Sequence, residues 1–85
     1  MEYLVVAFRS RTDTVRFYEF LRRNGIYSEI VNTPKEAGVG CGLSVKISKN
    51  MFDTVKNAVR ISALNTFAGF FLVSFVGDKR VVRSI

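Results

Sequence analysis

An α+β fold is what this sequence predicts, and three observations predict it. Two segments carry apolar residues at helical spacing, and five others are β-rich or alternate with period two. The two kinds are interleaved along the chain instead of grouped. At 85 residues, 48% of them hydrophobic, the chain can enclose one core but not a second, so a single domain over residues 1–85 is expected.

Glu2 to Phe8 (EYLVVAF) is mostly apolar, the pattern of a central strand. Ser10 or Thr12 then caps a helix through Arg23, with Asp13 in its first turn facing the positive end of the helix dipole. Val15, Tyr18 and Leu21 recur at helical spacing, and Phe17 and Phe20 widen the stripe; Arg16, Glu19 and Arg23 stay on the wet side. Asn24-Gly25 supplies the stop. Ile26 to Thr33 reads as a second strand, closed by Pro34, and residues 35–40 form a loop. Leu43 to Ile47 alternates as a third strand with Leu43, Val45 and Ile47 inward. Asn50, with Asp53 three residues on, starts a second helix whose buried side is Phe52, Val55 and Val59 with Met51, Ala58 and Ser62, and Asn65 caps its end. Phe67 to Val76 is the fourth strand, and Gly77-Asp78 turns it into a short last one, Lys79 to Ser84.

The order β-α-β-β-α-β is the ferredoxin-like arrangement, here with an added hairpin strand. In that topology both helices cover one face of an antiparallel sheet and the other face is bare. Leu4 to Phe8 and Phe70 to Val73 are nevertheless apolar on both sides. Something is therefore expected to cover the second face, most simply another copy of the chain, which predicts a homodimer through the open sheet face.

Composition removes several kinds of chemistry. One cysteine excludes an internal disulfide, and the absence of histidine excludes Cys/His zinc sites and Ser-His or Cys-His nucleophile pairs. An iron–sulfur cluster held by one chain falls to the same count. No cofactor or metal is called for. Gly38-x-Gly40-x-Gly42 has the wrong spacing for a dinucleotide site and leads into a strand where such a site needs a helix. No Gly-Lys-Ser/Thr of a P-loop occurs. Asp13 with Glu36, or Asp53 with Glu36, is placed together by nothing in the pattern, and capping accounts for both aspartates. An acidic residue follows Met1 where a leader would be basic, the longest apolar stretch is about half a membrane span, and the thiol is alone. A protein of the reducing cytosol is expected, off the membrane.

Thirteen Lys and Arg against seven Asp and Glu leave a charge of +6. That balance suits an anionic partner or plain solubility, and the scatter from Arg9 to Arg83 favours solubility. Gly69 to Phe75 faintly resembles the aromatic strand of an RNA-recognition motif, but Ala68 replaces the basic residue and Phe71 stands where a small one is wanted. Core packing is the better use of those rings, which argues against nucleic acid.

The loop Gly38-Val39-Gly40-Cys41-Gly42 holds the one reactive side chain of note. The third strand should run antiparallel beside the first, so its start meets the first strand's end. Cys41 is then expected near Phe8, Arg9, Ser10 and Arg11, by the amino end of the first helix, where an anion is favoured. Gly40 and Gly42 bare the backbone to an approaching sulfur, Lys35 and Lys46 add positive potential, and Glu36 opposes it. One nucleophilic thiol with no resolving partner suits holding a sulfur atom, not dithiol redox work. The plainer use of Cys41 is as a small apolar packing residue at a strand start.

Residues 32–43 resemble the marking segment of the selenium/sulfur carrier-like family, short bacterial domains of unknown function. Thr33-Pro34-Lys35-Glu36 and Cys41-Gly42-Leu43 match its T-P-[RK]-E and C-G-[LI] elements in order and spacing, and Phe8-Arg9-Ser10 fits an earlier one. The resemblance spans about the first two-thirds of the chain and leaves out the phenylalanine-rich strand and basic hairpin after Leu64. It implies a carrier with Cys41 as the thiol that holds the cargo and Thr33, Pro34, Glu36, Gly42 and Leu43 as its setting. It further implies sulfur or selenium donor and acceptor proteins as partners, and a carrier's role instead of an enzyme's. Two rivals stand beside it: a basic module binding RNA or an anionic ligand, and a purely structural dimerisation domain.

Overall fold

These signals resolve into five strands and two helices in the computed structural model, which describes residues 1–85. The strands are β1 (Glu2–Phe8), β2 (Glu29–Asn32), β3 (Leu43–Ser48), β4 (Phe67–Val76) and β5 (Lys79–Ser84); the helices are α1 (Arg11–Arg23) and α2 (Phe52–Ser62). The strands make one antiparallel sheet in the order β2-β3-β1-β4-β5. β1 is central, with Val6 opposite Val45 of β3 on one side and Phe70 of β4 on the other.

Alternation along the strands divides the core into two layers. Leu4, Val6 and Phe8 of β1, with Val45, Ile47, Phe70 and Leu72, face the helices and meet Phe17 and Leu21 of α1 and Val55 and Ala58 of α2. Rings run through this layer in an unbroken series from Phe20 to Phe17, Phe8, Phe67, Phe70 and Phe52, with centroids 4.9–6.4 Å apart. Each such side chain taken out of water stabilises the fold by about 1.5–3 kcal/mol. The rings of Phe67 and Phe70 are thus core, as their composition predicts.

The other face is not bare. Val5, Ala7, Phe71 and Val73 form a second buried cluster, with Tyr3, Val31, Ala37, Ala68 and Val82 packed around it. Ala37 belongs to the β2–β3 connection, whose single 3-10 turn (Lys35–Ala37) lies over this face. The face that the ferredoxin-like topology leaves bare is thus covered within one chain, as the apolar residues on both sides of β1 and β4 require.

Several local expectations also shift. Ser10 is the N-cap of α1, its hydroxyl accepting from the Asp13 N–H, but the buried line runs through Thr14, Phe17 and Leu21, and Val15 is 37% exposed. The stripe is displaced because residues 14, 17 and 21 face the sheet while Val15 turns out beside Arg16. β2 is shorter than its sequence pattern, since the Ile26 N–H donates to the Leu21 carbonyl and Ile26 packs on the helix-side core before strand pairing begins at Glu29. α2 starts after a 3-10 turn (Lys49–Met51) with no side-chain cap, because the Ser48 hydroxyl donates to Asn50 and leaves that amide off the helix. Ala63, in the left-handed region at φ 57°, ends α2 in place of Asn65.

Candidate functional site

The connection between β2 and β3 wraps around the end of β1. Ala37 lies on the second face, and Cys41 comes back on the side of α1. Two backbone bonds fix the return: the Cys41 N–H donates to the Phe8 carbonyl at 3.2 Å, and the Thr33 N–H donates to the Gly42 carbonyl at 2.8 Å. The Thr33 hydroxyl meets that of buried Ser44 at 2.6 Å, and the next residue, Pro34, is buried. Gly40 has φ 96°, and a side-chain carbon there would sit 3.4 Å from the Phe8 carbonyl oxygen. Only glycine lets the loop pass that close in that conformation.

Cys41 is half-buried. Its thiol donates to the Leu43 carbonyl at 3.5 Å and stands 3.5 Å from the Thr14 hydroxyl, where either atom can donate. That hydroxyl also donates to the Ser10 carbonyl at 3.0 Å. When the sulfur is ionised, the Thr14 proton can rotate to it, giving the anion a fixed donor in the first turn of α1. Sequence reasoning missed Thr14. The signal was present, because Thr14 lies three residues before Phe17 and seven before Leu21 on the buried line.

The amino end of α1 is braced from behind. Thr66, in the α2–β4 connection, accepts from the Ser10 N–H at 3.3 Å and donates to the Asp13 carboxylate at 2.6 Å, and its carbonyl takes the Arg9 N–H at 2.7 Å. Asp13 is buried, 8% exposed, with this hydroxyl as its partner. The brace holds the helix end against which the thiol rests.

The other predicted residues fall into two groups. Arg9 and Arg11 are exposed at the head of α1 and join no ion pair, and Gly42, with φ 97°, and Leu43 flank the thiol directly. Lys35 is exposed on the 3-10 turn, and the sulfur's hydrogen bonds go to Thr14 and Leu43 instead. Lys46 is not brought to the thiol: its ammonium lies 4.4 Å over the Tyr3 ring on the second face. Glu36 does not oppose the thiol with a free charge either, because Arg80 of β5 binds both its carboxylate oxygens, at 2.8 and 3.1 Å. That guanidinium holds the Glu36 carboxyl below its ordinary range.

The chain matches the family described as "Putative Se/S carrier protein-like" over residues 3–66. It belongs to that family. The Se/S carrier-like match takes in β1, α1, β2, the Cys41 loop, β3 and α2, and stops at Thr66, one residue before β4. No curated protein and no solved structure matches the chain. No helix is long and apolar enough to cross a membrane.

Proposed function

We propose that this Se/S carrier-like protein holds sulfur or selenium on Cys41, as a persulfide or selenosulfide, and passes it between two other proteins. The scaffold we assign to it is ferredoxin-like, on the strength of the β-α-β-β-α-β order and both helices packing into one layer. A single observation carries the functional reading. The chain's one thiol is half-buried with its sulfur beside the Thr14 hydroxyl, on a loop inside the residues that match the family.

The step is a sulfur-for-sulfur displacement. The Cys41 thiolate attacks the outer sulfur of a donor persulfide, R–S–SH. A new S–S bond forms as the donor's breaks, the electron pair leaves on R–S⁻, and the cargo stays as Cys41–S–SH. Nothing is oxidised or reduced overall, so one cysteine suffices. Discharge to an acceptor thiolate is the same reaction in reverse. Half-burial protects the cargo, and the bare backbone at Gly40 and Gly42 admits the partner's sulfur.

Intact mass after incubation with a cysteine desulfurase and free cysteine tests this. The gain of one sulfur atom, reversed by dithiothreitol and absent in Cys41→Ser, is the expected result; selenocysteine in place of cysteine should add selenium at the same residue. A mass that never changes, with Cys41 unreactive until the protein unfolds, would mean that the thiol is a packing residue and end the carrier reading.

A further inference from the structure

We propose that Arg80 is a positioning residue for the Cys41 thiol, acting through Glu36. The proposal rests on the carrier reading of Cys41 and adds to it a latch outside the family's matched residues.

The loop that presents Cys41 has little stiffness of its own. Gly38, Gly40 and Gly42 all sit at positive φ, and the one 3-10 turn between β2 and β3 buries no residue fully. Its position is therefore set by what it is fastened to. On the α1 side it is fastened by the Cys41 N–H to Phe8. On the other face it is fastened by Ala37 against the Val5, Ala7, Phe71 and Val73 cluster and by Glu36 to Arg80.

The Glu36–Arg80 contact differs from an ordinary surface pair. Nε donates to one carboxylate oxygen and Nη2 to the other, a two-pronged geometry that fixes direction as well as distance. It also spans the sheet. Glu36 leaves from between β2 and β3, while Arg80 belongs to β5 at the opposite edge, three strands beyond β3. The pair thus draws the loop across the whole second face, and Val82 of the same strand packs into the cluster beneath it.

Glu36 lies within the matched residues and Arg80 lies beyond them. The C-terminal hairpin consequently fixes the setting of the thiol without touching it. Releasing the pair should let residues 35–40 lift and loosen the return to Cys41.

Two readouts test this on the full chain: the rate of iodoacetamide alkylation at Cys41, and amide hydrogen exchange in residues 35–41 relative to β1. Arg80→Ala and Glu36→Gln should each raise both by about two- to fivefold, the range for a partly exposed ion pair. Exchange in β1 should stay unchanged. The two substitutions together should do no more than either alone. Arg80→Lys should restore only part, since an ammonium lacks the fork, and the exchanged pair Glu36→Arg with Arg80→Glu should restore most. Wild-type values in both single variants, or effects that simply add in the double, would overturn the latch. Sulfur loading of the same proteins separates the two claims. Normal loading with no change in alkylation sinks the latch alone, whereas faster alkylation in a protein that never takes up sulfur sinks the carrier reading and leaves the latch standing.

Discussion

The two faces of the sheet are built to different standards. The helix-covered face packs eleven buried residues around a series of six phenylalanine rings. The other face buries four, under a loop held by one alanine, one ion pair and a few backbone bonds. Stability and reactivity are thereby separated: the thick layer holds the fold, and the thin one carries the loop that leads to the thiol. Regions that must move or be approached are drawn from the less stable parts of a protein.

The largest expected effect should come from the thick layer. Phe17→Ala removes a fully buried ring touching Phe8 and Phe20 and should cost about 3–5 kcal/mol, read from the denaturant midpoint. Cys41 rests on Thr14, one turn before Phe17 on the same buried line, so its alkylation within the native population should also rise. An unchanged rate would mean that the thiol's setting is independent of the ring.

Gly40→Ala attacks the join between the two faces. A side chain at φ 96°, against the Phe8 carbonyl, should cost about 1–3 kcal/mol and move the thiol off Thr14, so alkylation should change well before the melting curve shows broad loss of structure. Thr14→Val keeps the shape and deletes the hydroxyl. About 1 kcal/mol of stability and a several-fold slower gain of sulfur are expected, since the ionised sulfur loses its nearby donor. Unchanged loading kinetics would reduce Thr14 to a packing role.

The smallest effect is a pH dependence. Arg80 lowers the Glu36 carboxyl from its ordinary 4.5, so the pair stabilises the folded chain above that value, and its contribution is lost as pH falls through the depressed one. Amide signals of Ala37 and Gly38 should therefore shift only below about pH 4.5, and Arg80→Ala should move that transition upward toward the ordinary carboxylate range. A midpoint indifferent to Arg80 would break the link between hairpin and loop.

How much of this could be read in advance follows the same division. Periodic residues such as Leu4, Val6, Val45 and Leu72 declare their strands, and Ser10, Asn24 and Gly77 mark helix and turn boundaries, so the scaffold and the neighbourhood of Cys41 are legible in the sequence. The crossing of residues 35–37 over the second face is not, because one 3-10 turn has no period and Glu36 is 44 positions from its partner. Val15 misleads because an isolated valine fits either side of a helix stripe, and neighbours decide which. Lys46 misleads because charge was counted along the chain, while strand alternation sends its ammonium to Tyr3.

β1 is buried from Leu4 to Phe8 because it is flanked by β3 and β4 and covered on both faces. During synthesis that strand emerges long before β4, its last neighbour, since Val6 pairs with Phe70 across most of the chain. Translation at about 5–20 residues per second therefore leaves an apolar segment with one edge unpaired for several seconds. Closing so distant a contact also slows the folding search itself. A ribosome-bound chain stopped at Thr66 would carry the whole family match and the thiol loop, but neither the strand that seals β1 nor the arginine that fastens the loop. Until β4 and β5 join the sheet, β1 keeps one edge open and the Cys41 loop lacks the arginine that fastens it.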